Sequence, residues 1–256
     1  MSNIKYLQYR ICQLASDAGE GHVPSALSIL DIVWVIYDKF ININKVKKSL
    51  PDREQLILSK GHASLAQYVV LEKKGIIKKK LDTYLSYNSS FGGHPDSNKV
   101  KGIEASTGSL GHGMPIAAGI AYAKKIKKIK SKVYCIIGDG ECNEGTIWET
   151  CLLASNYKLN NLICIVDKNK STDRAIKIDD IKKKFLSFNW NVATVDGHNH
   201  KNLIKILKKK TSKPLVIIAN TIKGKGIKFM ERNQHEWHHK KIDRLILKKI
   251  KTEIFD

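Results

Sequence analysis

The chain has 256 residues, of which 42% are hydrophobic, and it carries a formal net charge of +21. That length allows a substantial core, while no apolar run approaches the ~20 residues that a membrane span requires. The five cysteines are scattered without a C-x-x-C pair, which argues against a zinc site or a disulfide framework. With no apolar signal segment near the start, we expect a cytoplasmic protein.

The positive charge comes almost entirely from lysine, since only five of the 45 basic residues are arginine. A surface that reads phosphates or base edges would be richer in arginine. We therefore expect weak attraction to polyanions and no dedicated nucleic-acid site, and codon usage in an AT-rich genome explains the lysines more simply.

The first half of the chain predicts helices joined by glycine-rich turns. Helices are predicted over residues 4–18, 25–39, 63–73 and 114–123, a buried strand over 56–58, and a long loop over 87–111. Ser25 is expected at or beside the N-cap of the second helix, because serine accepts hydrogen bonds from the first free backbone amides.

From residue 133 onward, apolar strands alternate with helices. Strands are predicted over residues 133–137, 162–166, 191–195 and 215–220, with a helix over 146–157 and further helices between the later strands. Near-continuous apolar strands of this kind belong to parallel sheets that are covered on both faces. We expect a three-layer α/β/α fold with a mainly parallel sheet, and ligands beyond the carboxyl ends of its strands.

Two oxygen-bearing side chains follow neighbouring strands of this sheet. Asp139 lies in Gly138-Asp139-Gly140 directly after one strand, and Asn169 follows the next. A carboxylate and an amide are hard donors that suit Mg²⁺ or Ca²⁺, with phosphate oxygens completing the shell. A simple turn is the alternative, since Asp and Gly are common turn residues. The shared strand–helix–strand context favours a metal–diphosphate site.

Four histidines lie beside glycine in predicted loops: His22, His62, His94 and His112. Imidazoles near a ligand donate hydrogen bonds and exchange protons close to neutral pH. Any one of them could be a structural turn residue, but four together favour a shared role. Their spacing does not fit a metal site on one helix face.

These motifs occur in the order found in the transketolase family, and the resemblance covers nearly the whole chain. It rests on Gly21-His22, Ser59–Ala63, Gly93–Pro95, Ser106–Gly113, Gly138–Glu141, Glu144-Gly145, Asp167–Lys170 and Thr221–Gly226. The chain most resembles the stand-alone N-terminal subunit of split transketolases. The resemblance implies a thiamine-diphosphate-binding fold, with residues 1–256 as a single diphosphate-binding domain and no counterpart of the pyrimidine-binding and C-terminal domains.

The resemblance also implies roles for individual residues. Asp139, Asn169 and the main-chain carbonyl of Ser171 would hold Mg²⁺ or Ca²⁺. The channel for sugar or sugar-phosphate substrates would be lined by His22, His62, His94 and His238. Thiamine diphosphate would lie against His62, Gly108, Leu110, Gly138, Asp139, Gly140, Asn169 and His238, with Glu144 at the interface between the cofactor-binding halves.

The implied activity is transfer of a two-carbon ketol unit between sugars. In the family, the pyrimidine-binding domain supplies the glutamate that activates the cofactor. Because this chain has no such domain, we expect it to be inactive alone and to complete its site with a separate C-terminal subunit in an α₂β₂ assembly. The alternatives are a deoxyxylulose-phosphate-synthase-like or other thiamine-dependent carboligase, and a noncatalytic polyanion-binding scaffold, against which the intact site motifs argue.

Three segments depart from the family pattern. Val23-Pro24-Ser25 follows His22 where the family has Pro-Gly. The loop after Asn169 lacks the usual glycine, which leaves the position of the third metal ligand open by one residue. Near the end, Glu236–His239 replaces Trp-His-Gly, and His235 competes with His238 for the channel role. These changes would suit an altered sugar substrate.

Overall fold

The computed structural model describes residues 3–78, 81–173, 176, 178–234, 236–238 and 240–255. The helices are α1 (Asn3–Ala18), α2 (Val23–Lys39), α3 (Ile43–Lys47), α4 (Ser64–Lys73), α5 (Gly113–Ile126), α6 (Gly145–Asn156), α7 (Ile181–Ser187), α8 (His200–Leu207), α9 (Lys228–Arg232) and α10 (Arg244–Phe255). The strands are β1 (Gln55–Leu58), β2 (Val133–Gly138), β3 (Leu162–Lys168), β4 (Asn191–Asp196) and β5 (Leu215–Asn220).

The five strands form one parallel sheet in the order β1-β2-β3-β5-β4, as the strand–helix alternation predicted. Register places the strand ends side by side: Gly138 pairs with Asp167, and Lys168 pairs with Asn220. The loops that follow β1, β2, β3 and β5 therefore meet at one edge of the sheet, where α/β proteins bind ligands.

Helices cover both faces of the sheet, which confirms the predicted three layers. Alternate residues of β2 show this directly: Tyr134 and Ile136 belong to the core with α1, α2 and α4, whereas Cys135 and Ile137 pack with α5, α6 and α7. Because both faces are buried, the central strands are apolar throughout instead of alternating with polar residues, whereas the edge strand β4 is only partly buried and carries Thr194.

The second helix begins two residues earlier than predicted. α2 starts at Val23 with Pro24 in its first turn, where the missing proline N–H costs no hydrogen bond. The expectation that Ser25 caps this helix is therefore wrong, because Ser25 lies inside the first turn and is buried. The helix is buried on all sides, because it packs against α1, α4 and α8 as well as the core.

Helices near the C-terminal end were not predicted from the sequence. α10 packs against α1, and the rings of Tyr9 and Phe255 approach to 5.5 Å between centroids. The predicted loop over residues 87–111 is confirmed. Among the described residues, no helix is both long and apolar enough to cross a membrane.

Candidate active site

A cavity of about 380 Å³ opens beyond the carboxyl ends of the central strands. Most of the residues that the sequence motifs indicated line this cavity: His22, His62, Gly108, Leu110, Gly138, Asp139, Gly140, Asn169, Ser171 and His238. They come from loops that are far apart along the chain, and the parallel sheet brings them to one edge.

Asp139 is buried at the start of the turn after β2. Its Oδ1 accepts a hydrogen bond from the Gly140 amide at 2.8 Å, and its Oδ2 accepts one from the Lys170 amide at 2.6 Å. Lys170 reaches it because its φ of 62° turns the chain through the left-handed region. Burial, and then the nearby Asp167, raise the pKa of Asp139. A cation beside this carboxylate would relieve both effects.

Asn169 presents an amide oxygen on the same wall of the cavity. Its Nδ2 donates to Asp167 Oδ2 at 3.0 Å and to Ser28 Oγ at 3.2 Å, while its Oδ1 accepts from the Ser171 amide at 3.0 Å. The donor side of the amide is thus occupied by protein, which leaves the oxygen as the group available to a ligand. Within the described ranges, no three His, Cys, Asp or Glu side chains are grouped to hold a metal. An ion here would need amide, main-chain and ligand oxygens.

Asp167 joins four segments behind the cavity wall and is fully buried. It forms an ion pair with Lys60, accepts a hydrogen bond from Thr221 Oγ1, and accepts another from Ser28 Oγ at 2.7 Å. A buried ion pair is stable only when further hydrogen bonds satisfy it, as they do here. The sequence motifs assigned no role to Asp167 or Lys60, although charged residues beside buried strand ends require partners.

Lys223 is a second buried lysine on the cavity wall, with 2% of its surface exposed. Its Nζ donates to His238 Nδ1 at 2.7 Å. Burial, reinforced by the charge of Lys60, lowers the pKa of Lys223 to about 8. In the described part of the chain, no carboxylate forms an ion pair with it, so an anionic ligand would supply the missing charge. Its motif is visible in the sequence, but nothing in that motif pointed to a role for the lysine.

Three histidine rings meet beside these groups. The His22 ring centroid lies 5.2 Å from that of His62 and 5.5 Å from that of His238, with the rings edge to face. Burial, and then the charge of Lys60, lower the pKa of His62 to about 2, so its imidazole is neutral at physiological pH. A neutral imidazole both donates and accepts a hydrogen bond, as sugar hydroxyls require.

Three of the residues that the sequence indicated do not line the cavity. His94 is exposed and its ring packs on Gly108, where a Cβ would come within 3.2 Å of it. Glu144 is exposed at the N-terminal end of α6. His112, at the start of α5, is also exposed and outside the cavity lining. His235, the competitor of His238, lies outside the described residues.

Comparison with known proteins gives consistent relatives. A family model described as "Transketolase, thiamine diphosphate binding domain" matches residues 2–254. One subunit of the apulose-4-phosphate transketolase of Actinobacillus succinogenes is 39% identical over 234 residues, which cover 88% of this chain and 84% of that protein. The 6-deoxy-6-sulfo-D-fructose transketolase subunit SqwG of Clostridium sp. is 36% identical over 222 residues, covering 83% and 81%.

A solved structure extends this likeness to three dimensions. The crystal structure of transketolase from Campylobacter jejuni matches with a TM-score of 0.86 at 29% sequence identity. The match covers 99% of this chain but only 43% of that one, so the chain spans less than half of the length of that transketolase.

Proposed function

The chain belongs to the family of transketolase thiamine-diphosphate-binding domains, and from that membership we propose that it is the N-terminal subunit of an enzyme that transfers a two-carbon ketol unit between sugars. The observation that supports this most directly is the composition of the cavity wall. Asp139 and Asn169 present hard oxygen donors there, and the buried amine of Lys223 lines the same cavity. A metal-bound diphosphate needs both kinds of group.

The donor set fits thiamine diphosphate with Mg²⁺, and Ca²⁺ would suit the same oxygens. Asp139, Asn169 and the Ser171 carbonyl would hold the ion, and Lys223 would neutralise the diphosphate. Gly108 and Leu110 line the cavity where the rings of the cofactor would lie, while Gly138 and Gly140 line it beside Asp139. When bound, thiamine diphosphate supplies the nucleophilic carbon that makes and breaks the C–C bond.

The chain's own residues would bind the sugar and move protons. His22, His62 and His238 form the ring cluster that would contact substrate hydroxyls. The low pKa of His62 keeps its imidazole neutral, so it can donate one hydrogen bond to a substrate hydroxyl and accept another. His94, exposed beside Gly108, would complete this set when a partner covers it.

An exposed apolar face beside the cavity supports a partner subunit. α5 and α6 pack side by side and expose Ile116, Tyr122, Leu152 and Leu153, and the exposed ring of Tyr157, directly after α6, lies 4.6 Å from that of Tyr122. Leu110, three residues before α5, is 37% exposed and lines the cavity, and the exposed Glu144 lies against Gly111. Contiguous apolar surface of this kind marks an interaction site. We propose that a C-terminal transketolase-like subunit covers it in an α₂β₂ assembly.

The relatives from Actinobacillus succinogenes and Clostridium sp. are both named as single subunits of a transketolase, which agrees with a separate partner chain. We also propose a cytoplasmic location, since all five cysteines are buried and free, as reducing compartments favour.

Calorimetric titration of the purified chain with thiamine diphosphate tests the first half of the proposal. We expect binding that requires Mg²⁺ and no binding of thiamine, which lacks the diphosphate. Absence of heat with thiamine diphosphate and Mg²⁺, in the chain and in its complex with the C-terminal subunit, would refute the cofactor assignment and favour a noncatalytic scaffold.

Reconstitution with the C-terminal subunit tests the second half. We expect ketol transfer from a ketose donor by the complex and none by the chain alone. Turnover by the chain alone would exclude the divided site, and carboligation from pyruvate instead of a ketose would indicate a deoxyxylulose-phosphate-synthase-like activity.

A further inference from the structure

Two histidines and one carboxylate form a cluster behind the cavity wall, outside its lining. Asp31 lies on α2 and is 6% exposed. His198 Nδ1 is 2.8 Å from Asp31 Oδ2, and His200 Nε2 is 2.7 Å from Asp31 Oδ1. Asp31, His198 and His200 are not among the residues that line the cavity, and the proposed reaction gives them no role.

The hydrogen bonds define the tautomer of His198. Its Nε2 accepts a hydrogen bond from the Ile222 amide at 2.9 Å, so that nitrogen carries no proton. Nδ1 therefore carries the proton and donates it to Asp31. The backbone of His198 is also held, because its amide donates to Asp196 Oδ1 at 2.9 Å. One imidazole thus connects the carboxylate of α2 to the backbone directly before Lys223.

α2 holds the segment around Lys223 at other points as well. Ser28 lies three residues before Asp31, on the same face of the helix, and its Oγ is 3.2 Å from Thr221 Oγ1. The Gly224 amide donates to the Pro24 carbonyl at 3.0 Å. Gly224 has a φ of +82°, a conformation in which glycine constrains the chain little. The Ile222 amide, directly before Lys223, is bound by His198 Nε2.

We propose that His198, anchored by Asp31, is a positioning residue that holds the Ile222 peptide so that the Lys223 amine stays on the cavity wall. His200 occupies the second oxygen of Asp31 and fixes the orientation of that carboxylate. This inference rests on the proposed function only for the identity of the anion that Lys223 would bind.

Two substitutions of His198 test separately the nitrogen that accepts from Ile222, Nε2, and the nitrogen that donates to Asp31, Nδ1. Glutamine can place an oxygen near the position of Nε2 and accept from Ile222, whereas the shorter asparagine reaches only the position of Nδ1. We expect His198→Gln to bind inorganic diphosphate with Mg²⁺ within about threefold of wild type, and His198→Asn to bind about tenfold more weakly. Thermal unfolding of both variants checks that they are equally folded.

A mutant cycle tests whether His198 acts through Lys223. In a Lys223→Met background, His198→Asn should cause no further loss of diphosphate affinity, because the group that it positions is gone. Asp31→Asn offers an independent variant that leaves His198 in place, and we expect a smaller loss of about threefold.

Hydrogen–deuterium exchange of the free chain supplies a readout that needs no ligand. The peptide covering residues 221–226 should exchange faster in His198→Asn than in His198→Gln or wild type. Equal affinities and equal exchange in the two variants, or additive losses in the cycle, would overturn the positioning role. If wild type binds no diphosphate, the proposed function fails, and the exchange comparison still decides the role of His198.

Discussion

The two edges of the sheet both collect lysines, yet they hold them in opposite ways. At the carboxyl edge, Lys60 and Lys223 are buried, with 2% of their surface exposed, and each has a directed polar partner. At the amino edge, a cavity of about 530 Å³ is lined by Lys125, Lys128, Lys130, Lys132 and Lys210. More lysines line the cavity at the amino edge, but the two lysines that are buried in a cavity wall, Lys60 and Lys223, are at the carboxyl edge.

Helix direction explains the lysines of the amino edge. The helices that cover a parallel sheet run opposite to its strands, so their C-terminal ends and free carbonyls gather there. Lys125 Nζ donates to the Tyr157 carbonyl at 2.6 Å beyond α6, and Lys132 Nζ to the Leu207 carbonyl at 3.4 Å in α8. These lysines stabilise helix ends. Net charge therefore does not locate the site. Lys124 at the amino edge is buried too, but its amine donates to the Pro51 and Arg53 carbonyls and to Ser131 Oγ, whereas the buried Lys223 lines a cavity.

Replacement of Asp139 should cause the largest loss of cofactor affinity at the carboxyl edge. Asp139→Asn keeps the shape of the side chain and removes the charge that a cation needs. We expect the Mg²⁺-dependent affinity for thiamine diphosphate to fall about 100-fold in calorimetric titration. Asp179→Asn, which neutralises an exposed carboxylate, is the matched control. Equal heats in wild type and Asp139→Asn would show that Asp139 does not hold the ion.

Replacement of Lys223 should change affinity and stability in opposite directions. In Lys223→Met, diphosphate affinity should fall about tenfold because a buried cation is lost. The free energy of unfolding at pH 7 should rise by roughly 1–3 kcal/mol, since burial of the uncompensated charge opposes folding. Calorimetry and urea denaturation measure the two effects.

Lys225→Met is the control for Lys223, because Lys225 lies two residues further on, is partly exposed and pairs with Glu231 at 3.7 Å. It should leave diphosphate affinity nearly unchanged. A loss as large as that of Lys223→Met would mean that overall charge, and not burial, determines binding.

The pH dependence of diphosphate binding extends the same comparison. Burial lowers the pKa of Lys223 to about 8, so its amine is charged at pH 7 and largely neutral at pH 9. Diphosphate affinity should fall severalfold across that interval, and it should change less with pH in Lys223→Met.

The same pKa shift makes stability depend on pH. The unfolded chain keeps the ordinary lysine pKa of about 10.4, so between pH 8 and that value it binds more protons than the folded chain. The contribution of Lys223 to stability therefore rises over that range.

The sequence predicted the strands, which are runs of apolar residues, and the site residues that directly follow such runs along the chain. The strands of the sheet were visible because burial on both faces makes them apolar runs, and Asp139 and Asn169 because each follows such a run. The partners of Asp167 were not visible, since Lys60 lies 107 residues away from it. α10 was not predicted because lysines interrupt its apolar positions, and the early start of α2 depends on Pro24 in the first turn.

Neutralising the amino edge should have the smallest effect of all. The triple variant Lys128→Gln, Lys130→Gln and Lys210→Gln removes three positive charges from the 530 Å³ cavity. A strand of six residues separates the edges by about 20 Å, more than twice the Debye length of ~8 Å at physiological salt. We expect diphosphate affinity to change less than twofold at that salt concentration, and the free energy of unfolding by about 0.5 kcal/mol or less. A loss as large as that of Lys223→Met would mean that the long-range field of the lysines attracts the anion, and the distinction between the edges would fail.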